Sequence, residues 1–168
     1  MSRGFVKEDD QEEVPMVPPR AHLPAGVPNY VTRAGMDELL AERQALMNEI
    51  ERLDIASENE RRLAVNHIKA KLQLLNNRIN DARIIDLEEQ PKDEIRFGAT
   101  VTLKTEGKED IHHFQIVGVD EADISRGKIS FLSPLARVLT NKKVGEKVVL
   151  KRPKGDQVFE IMEITYIS

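Results

Sequence analysis

No cysteine and no tryptophan occur among the 168 residues, and aromatic side chains make up only 4% of them. Without cysteine the chain has neither disulfide staples nor thiolate metal sites. Few aromatics mean a thin apolar core, and 40% hydrophobic against 32% charged residues fits a soluble protein. No apolar run approaches the ~18 to 20 residues a membrane helix needs. The opening Met1-Ser2-Arg3-Gly4-Phe5-Val6-Lys7 leads into acids instead of an apolar signal segment, so a cytoplasmic location and no membrane partner are expected. Nor does one charge sign dominate: the net charge of −4 is spread along the chain and does not announce a nucleic-acid binder. A glycine-rich phosphate loop, a nucleophile elbow and a metalloprotease helix are all missing. His112 and His113 are sequence neighbours, which in a strand point to opposite faces, so they are expected to be structural or surface residues. Nothing resembles a self-contained active site or a small-molecule substrate pocket.

Residues 1–31 hold five of the eight prolines and the acidic run Glu8, Asp9, Asp10, Glu12, Glu13. Such a composition buries little apolar surface and predicts a flexible acidic tail. From Thr32, whose hydroxyl suits a helix start, the pattern becomes helical and stays free of proline to Glu89. Met36, Leu39, Arg43, Leu46, Ile50 and Leu53 form one heptad seam, and Val65, Ile68, Leu72, Leu75, Ile79 and Ala82 form another. Partner numbers across the two seams sum to 118, which predicts an antiparallel coiled-coil hairpin over 32–89 with its turn centred on Asn59. Ser57 followed by Glu60 is a capping-box pattern that starts the second helix near Glu58. The bland alternative is two core helices of a bundle, which charges outside a narrow stripe disfavour.

After Gln90-Pro91 alternating segments predict strands at 99–103, 113–117, 128–131, 147–150 and 158–164, with a short helix at 134–139 capped by Ser133. The expected class is α+β: a helical hairpin followed, over 90–168, by an antiparallel sheet with one short helix.

Two clusters carry candidate chemistry. Asp54, Glu58 and Glu60 crowd the hairpin tip, where carboxylates suit an oxygen-seeking ion such as Mg²⁺ and leave positions open for a phosphate. The competing reading is that they only stabilise a helix start. Arg137, Lys142, Lys143, Lys147, Lys151, Arg152 and Lys154 form a basic cluster suited either to an acidic protein or RNA surface or to protecting a sheet edge.

Four segments carry a family resemblance over about residues 28–168: Tyr30-Val31-Thr32-Arg33-Ala34-Gly35, Ser57-Glu58-Asn59, Phe97-Gly98-Ala99 with 114–121, and Ser133-Pro134-Leu135-Ala136-Arg137-Val138-Leu139 followed by Val144-Gly145-Glu146. They resemble the GreA/GreB transcript-cleavage factors. The resemblance implies an FKBP-like C-terminal domain that docks on bacterial RNA polymerase through Asp120, Ser133, Pro134 and Arg137, and a coiled coil that enters the polymerase's secondary channel. It further implies no cofactor of the chain's own. Glu58 with Asp54 or Glu60 would help hold a Mg²⁺ supplied in the polymerase active site, close to the 3′ end of nascent RNA. Such a chain is an accessory factor and not an enzyme. It also departs from the family: ungapped alignment puts Ile55 where the family has its tip Asp, a one-residue adjustment brings in Asp54, and each arm is shorter by about one heptad. Shortened relatives resembling Rnk, which bind the polymerase without cleavage, supply the alternative, and a stand-alone prolyl isomerase is a third reading.

Overall fold

The computed structural model describes residues 15–167. The tail expectation for residues 1–14 lies outside the described residues. The chain forms two compact units, one built on Leu39–Asp81 with the residues up to His22, the other on Leu23–Glu38 and Ala82–Ser168.

In the first unit, helix α1 (Arg33–Glu51) enters from its opening turn and helix α2 (Glu58–Asp81) follows a six-residue connection. Ser57 Oγ accepts from the Glu60 amide at 3.3 Å, so the start of α2 is set by the residue the capping pattern names. Burial follows the heptads. Leu39, Ile68, Leu75 and Ile79 are buried and Leu46, Ile50, Val65 and Leu72 half-buried, while Glu42, Glu49, Arg62 and Lys69 are exposed.

The expected boundaries need correction at both ends. Helix α1 stops at Glu51, short of Leu53, through a tightened last turn in which the Leu53 amide reaches Ile50 O at 3.4 Å. Asn59 therefore lies in the first turn of α2 and not at the centre of the connection, which is residues 52–57. Ala82, the last heptad position, has left the helix for strand β2 (Ala82–Ile84). A sequence repeat continues through Ala82, but the β-branched Ile84 and Ile85 that follow favour extended backbone. Replacing the half-buried Leu46 with Asp should destabilise the helix pair by ~2 kcal/mol, because a charge would be desolvated without a partner. Urea unfolding followed by helical circular dichroism should then show an early helical transition with the sheet intact; an unchanged midpoint would contradict this account.

In the second unit β1 (Asn29–Val31) pairs in parallel with β2, Asn29 opposite Ala82. Residues 29–31 thus do not belong to a flexible tail. Asn29 and Val31 are buried, and Tyr30 joins Phe97 and Phe131 in an aromatic cluster with centroids 5.6 to 5.9 Å apart. These contacts join residues 34 or more positions apart, so no local pattern reveals them.

A five-stranded sheet follows, built from β3 (Thr100–Thr105), β4 (Ile111–Val117), β5 (Lys128–Ser130), β6 (Lys147–Leu150) and β7 (Gln157–Thr165), in the order β5-β4-β3-β7-β6. Alternation holds: Val101, Leu103 and Thr105 of β3 are buried while their neighbours are half-buried. Helix α3 (Pro134–Leu139) adds Ala136 and Leu139 to a core that includes Ile116, Ile129, Phe159 and Ile161. The chain is α+β as expected, but the sheet is mixed and not antiparallel, since β4 and β5 run parallel with Gln115 opposite Lys128. Alternation of side chains encodes which face is buried and carries no strand direction.

Beside the sheet, Gly98 sits at φ 88°, and a Cβ there would collide with Leu87 Cδ2, so both the backbone conformation and the close approach require glycine. Close by in the chain, Tyr166 Oη donates to Glu94 O at 2.6 Å and accepts from the Arg96 amide at 2.8 Å. Burial pushes this phenol above its usual pKa, and the Arg96 amide opposes the shift.

Candidate functional site

Between α1 and α2 the chain presents all three tip acids to solvent. Asp54 is exposed in the 52–57 connection, and Glu58 and Glu60 are exposed in the first turn of α2. Carboxylates at this helix end are favoured by the helix dipole whatever else they do. Across the connection Arg61 Nη1 donates to Leu53 O at 2.8 Å, satisfying a carbonyl that the end of α1 leaves without a helical partner. Arg62 Nη2 donates to Asn59 Oδ1 at 2.8 Å in the same turn. Glu58 and Glu60 are two residues apart on a helix, so they do not face one another. Among the described residues no three acidic or histidine side chains gather into a group able to hold a metal ion. The tip therefore offers separate, exposed carboxylates at Asp54, Glu58 and Glu60.

The second candidate surface gathers at one end of the sheet. Because β4 and β5 are parallel, their carboxyl ends lie side by side, Val117 opposite Ser130. The loop with Asp120 leaves β4 there, and the segment that leads through Ser133 into α3 leaves β5 beside it. The amide of Phe131 donates to Val117 O at 2.9 Å and keeps the two exits together. Ser133 is committed to structure: Oγ donates to Ser130 O at 2.7 Å and accepts from the Ala136 amide at 3.3 Å. Pro134 follows at the first helical position, where its fixed φ suits the turn and its missing N–H costs nothing. Pro134 and Arg137 are exposed and, three apart on α3, share a face. Asp120 is half-buried. Further along its loop, hydrogen bonds from the Ser125 side chain at 2.6 Å and the Ser125 backbone hold the exposed Asp123 carboxyl below its usual pKa.

Part of the basic cluster is internally neutralised. Lys147 Nζ lies 2.7 Å from Glu106, which raises the pKa of this exposed amine, and Lys143 Nζ lies 3.6 Å from Asp93. Lys151, Arg152 and Lys154 are exposed in the turn between β6 and β7. His112 and His113 point to opposite sides of β4, bonding Thr105 Oγ1 at 3.2 Å and Thr102 Oγ1 at 3.1 Å respectively, in keeping with structural roles.

Sequence reasoning missed one buried polar network. Thr32 Oγ1 donates to Glu121 Oε1 at 2.6 Å and accepts from the Gly35 amide at 2.9 Å, so one hydroxyl caps α1 and holds a carboxylate. Lys128 Nζ reaches the other oxygen, Glu121 Oε2, at 3.1 Å. The Glu121 side chain is only 3% exposed. A Cβ on Gly35 would lie 2.6 Å from Glu121 Oε1, which explains the glycine in the first turn of a helix. Beside this network lies a cavity of ≈ 750 Å³ without aromatic lining, walled by Ile84, Ile85, Leu87, Gln115 and the charged Asp37, Asp86, Arg33 and Lys128. No helix among the described residues is long and apolar enough to cross a membrane.

Comparison with known proteins finds a match for part of the second unit. Residues 90–166 match the family described as Transcription elongation factor, GreA/GreB, C-term. Transcription elongation factor GreA of Maricaulis maris is 39% identical over 99 residues, covering 59% of this chain and 63% of that protein. The protein of the same name from Azorhizobium caulinodans is 42% identical over 98 residues, covering 58% and 62%. The chain thus spans less than two thirds of the length of these relatives. Among solved structures, GreA factor homolog 1 of Thermus thermophilus superimposes with a TM-score of 0.40 at 22% identity, covering 81% of this chain and 97% of that one.

Proposed function

We propose, from the premise that residues 90–166 belong to the GreA/GreB C-terminal-domain family, that the whole chain is a transcription elongation factor that binds bacterial RNA polymerase. The domain match is the observation that carries this reading. In it, the second unit is an FKBP-like docking domain, and α1 with α2 is an antiparallel coiled-coil hairpin that enters the secondary channel. Docking runs through the end of the sheet where Asp120, Pro134 and Arg137 gather, with Ser133 fixing the loop by its two hydrogen bonds.

At the tip the proposed chemistry is assistance and not catalysis by the chain itself. Glu58, with Asp54, would lend carboxylate oxygens to a Mg²⁺ in the polymerase, where the ion activates water for cleavage of backtracked RNA. Both acids are exposed, which leaves their oxygens open to a metal. The second reading, a channel-occupying regulator without cleavage, rests on arms shorter by about one heptad, ~10 Å of helix, which withdraw the tip. Cleavage of RNA in stalled elongation complexes, with and without the chain, separates the two. A stand-alone prolyl isomerase fits less well, since the cavity beside Glu121 has no aromatic residue in its wall.

Substituting Pro134 and Asp120 together by Ala should weaken polymerase binding by roughly tenfold, the scale of losing 1.4 kcal/mol at an interface. Hairpin-tip variants should bind as the native chain does. Equal affinity for the double variant and the native chain, with the sheet still folded by circular dichroism, would remove the docking assignment.

A further inference from the structure

The two edges of the five-stranded sheet are finished differently. At the β5 edge Asp123 and Lys128 exchange both backbone hydrogen bonds, at 2.8 and 3.0 Å, so a turn covers the start of that strand. At the β6 edge no backbone segment pairs with the strand among the described residues. Two hydrogen bonds fix which way its groups face. The Ile161 amide donates to Glu146 O, and the Glu106 amide beyond β3 donates to Val158 O, both at 2.9 Å. Glu146 therefore faces β7, and Val148 with it, because alternate residues of an antiparallel strand face the same neighbour; Val158 faces β3. Val149 stands opposite Val158 and Lys147 opposite Glu160, so the amides and carbonyls of Lys147 and Val149 point out of the sheet.

Proteins commonly guard such an edge with a lysine, a proline or a bulge. Strand β6 contains no proline and runs against β7 without a bulge. Its one lysine, Lys147, is turned inward across the sheet, with Nζ 2.7 Å from Glu106, which lies on the β3 side of β7. Val149 is 44% exposed and shares a face with the half-buried Val158, an apolar step beside the open backbone groups. Charge is one-sided along this edge: residues 137–154 hold seven cations and the single acid Glu146. Lys143 and Lys147 have acidic partners. Lys151, Arg152 and Lys154, exposed in the turn that leaves β6, have none among the described residues, and Asp156 is the one acid of that turn.

We infer that the open edge of β6 receives an extended acidic segment of a partner protein as a further strand. Its backbone bonds to Lys147 and Val149, an apolar side chain rests on Val149 and Val158, and carboxylates lie beside the cations of the 151–154 turn. In strand addition of this kind the backbone bonds give affinity and alternate side chains give specificity. A second copy would bring the same cations to the edge, and like charge disfavours that pairing. The inference uses neither the hairpin tip nor the surface around Asp120 and Pro134, so it stands or falls apart from the elongation-factor reading.

A short labelled peptide of alternating valine and aspartate tests this on the full chain. Amide exchange followed by NMR should slow at Lys147 and Val149 when the peptide is added and stay as it was at Val148, whose amide already faces β7. Absence of slowing at the two outward amides would overturn the inference, and so would slowing that accompanies dimers formed without peptide, which would make the occupant a second copy. Val149→Pro removes one outward donor at a position where an edge strand tolerates proline. This variant, with the native circular dichroism spectrum, should bind the peptide roughly tenfold more weakly. Lys151→Glu with Lys154→Glu should weaken binding on the same scale, and a peptide with lysine in place of aspartate should not bind. Equal affinity of the proline variant and the native chain, or displacement of the peptide by single-stranded RNA of equal charge at the same concentration, would mean that charge alone is read and would refute strand addition. If the proline variant unfolds, the exchange measurement on the native chain decides.

Discussion

Glu58→Ala should cut stimulated RNA cleavage in stalled complexes by roughly a hundredfold, the scale of disturbing a metal's ligand environment, while polymerase affinity stays within about twofold. Its carboxylate is exposed in the first turn of α2, so its removal leaves the fold alone. Docking, in this account, belongs to the second unit. Asp54→Ala should show a comparable loss and Glu60→Ala little, since Glu60 does not face Glu58. Equal losses for Glu60 and Asp54 would refute that assignment. Should the native chain itself fail to stimulate cleavage, lengthening each helix by one heptad, about 10 Å, distinguishes reach from chemistry. Cleavage gained by the longer chain means reach was limiting. Continued silence means the tip residues are unsuited and the binding-only reading holds.

Lys128→Met is expected to destabilise the second unit by about 3 to 5 kcal/mol, because it leaves Glu121 buried without its cation. The Lys128 side chain is 17% exposed and that of Glu121 3%, so water compensates only the lysine end. Adding Glu121→Gln should recover most of the loss: the amide oxygen can still accept from Thr32, and no uncompensated charge remains. Urea unfolding of the single and double variants measures this. A single variant within about 0.5 kcal/mol of native would mean that Glu121 gains solvent or another partner and that the network contributes little.

Much of this protein was legible along the chain because the governing interactions are local. Heptad spacing marked which residues of α1 and α2 are covered, since side chains three and four apart share a helix face. Ser57 and Ser133 announced the starts of α2 and α3 because a cap acts within three residues. Alternation marked the strands of the C-terminal sheet for the same reason. The candidate residues at the tip and in the Ser133-Pro134 segment were named from the sequence, their local patterns and their family resemblance.

Tertiary structure alone decided what brings distant segments together. Tyr30 lies in a stretch whose composition reads as tail, yet it packs on Phe97 and Phe131 and its strand pairs with Ala82–Ile84. The parallel match of β4 with β5 sets the Asp120 loop beside the Ser133 cap, and no alternation pattern contains strand direction. Thr32, Glu121 and Lys128 look like ordinary surface residues in sequence. Burial makes them a network, because a carboxylate removed from water requires its partners to arrive from wherever the fold places them.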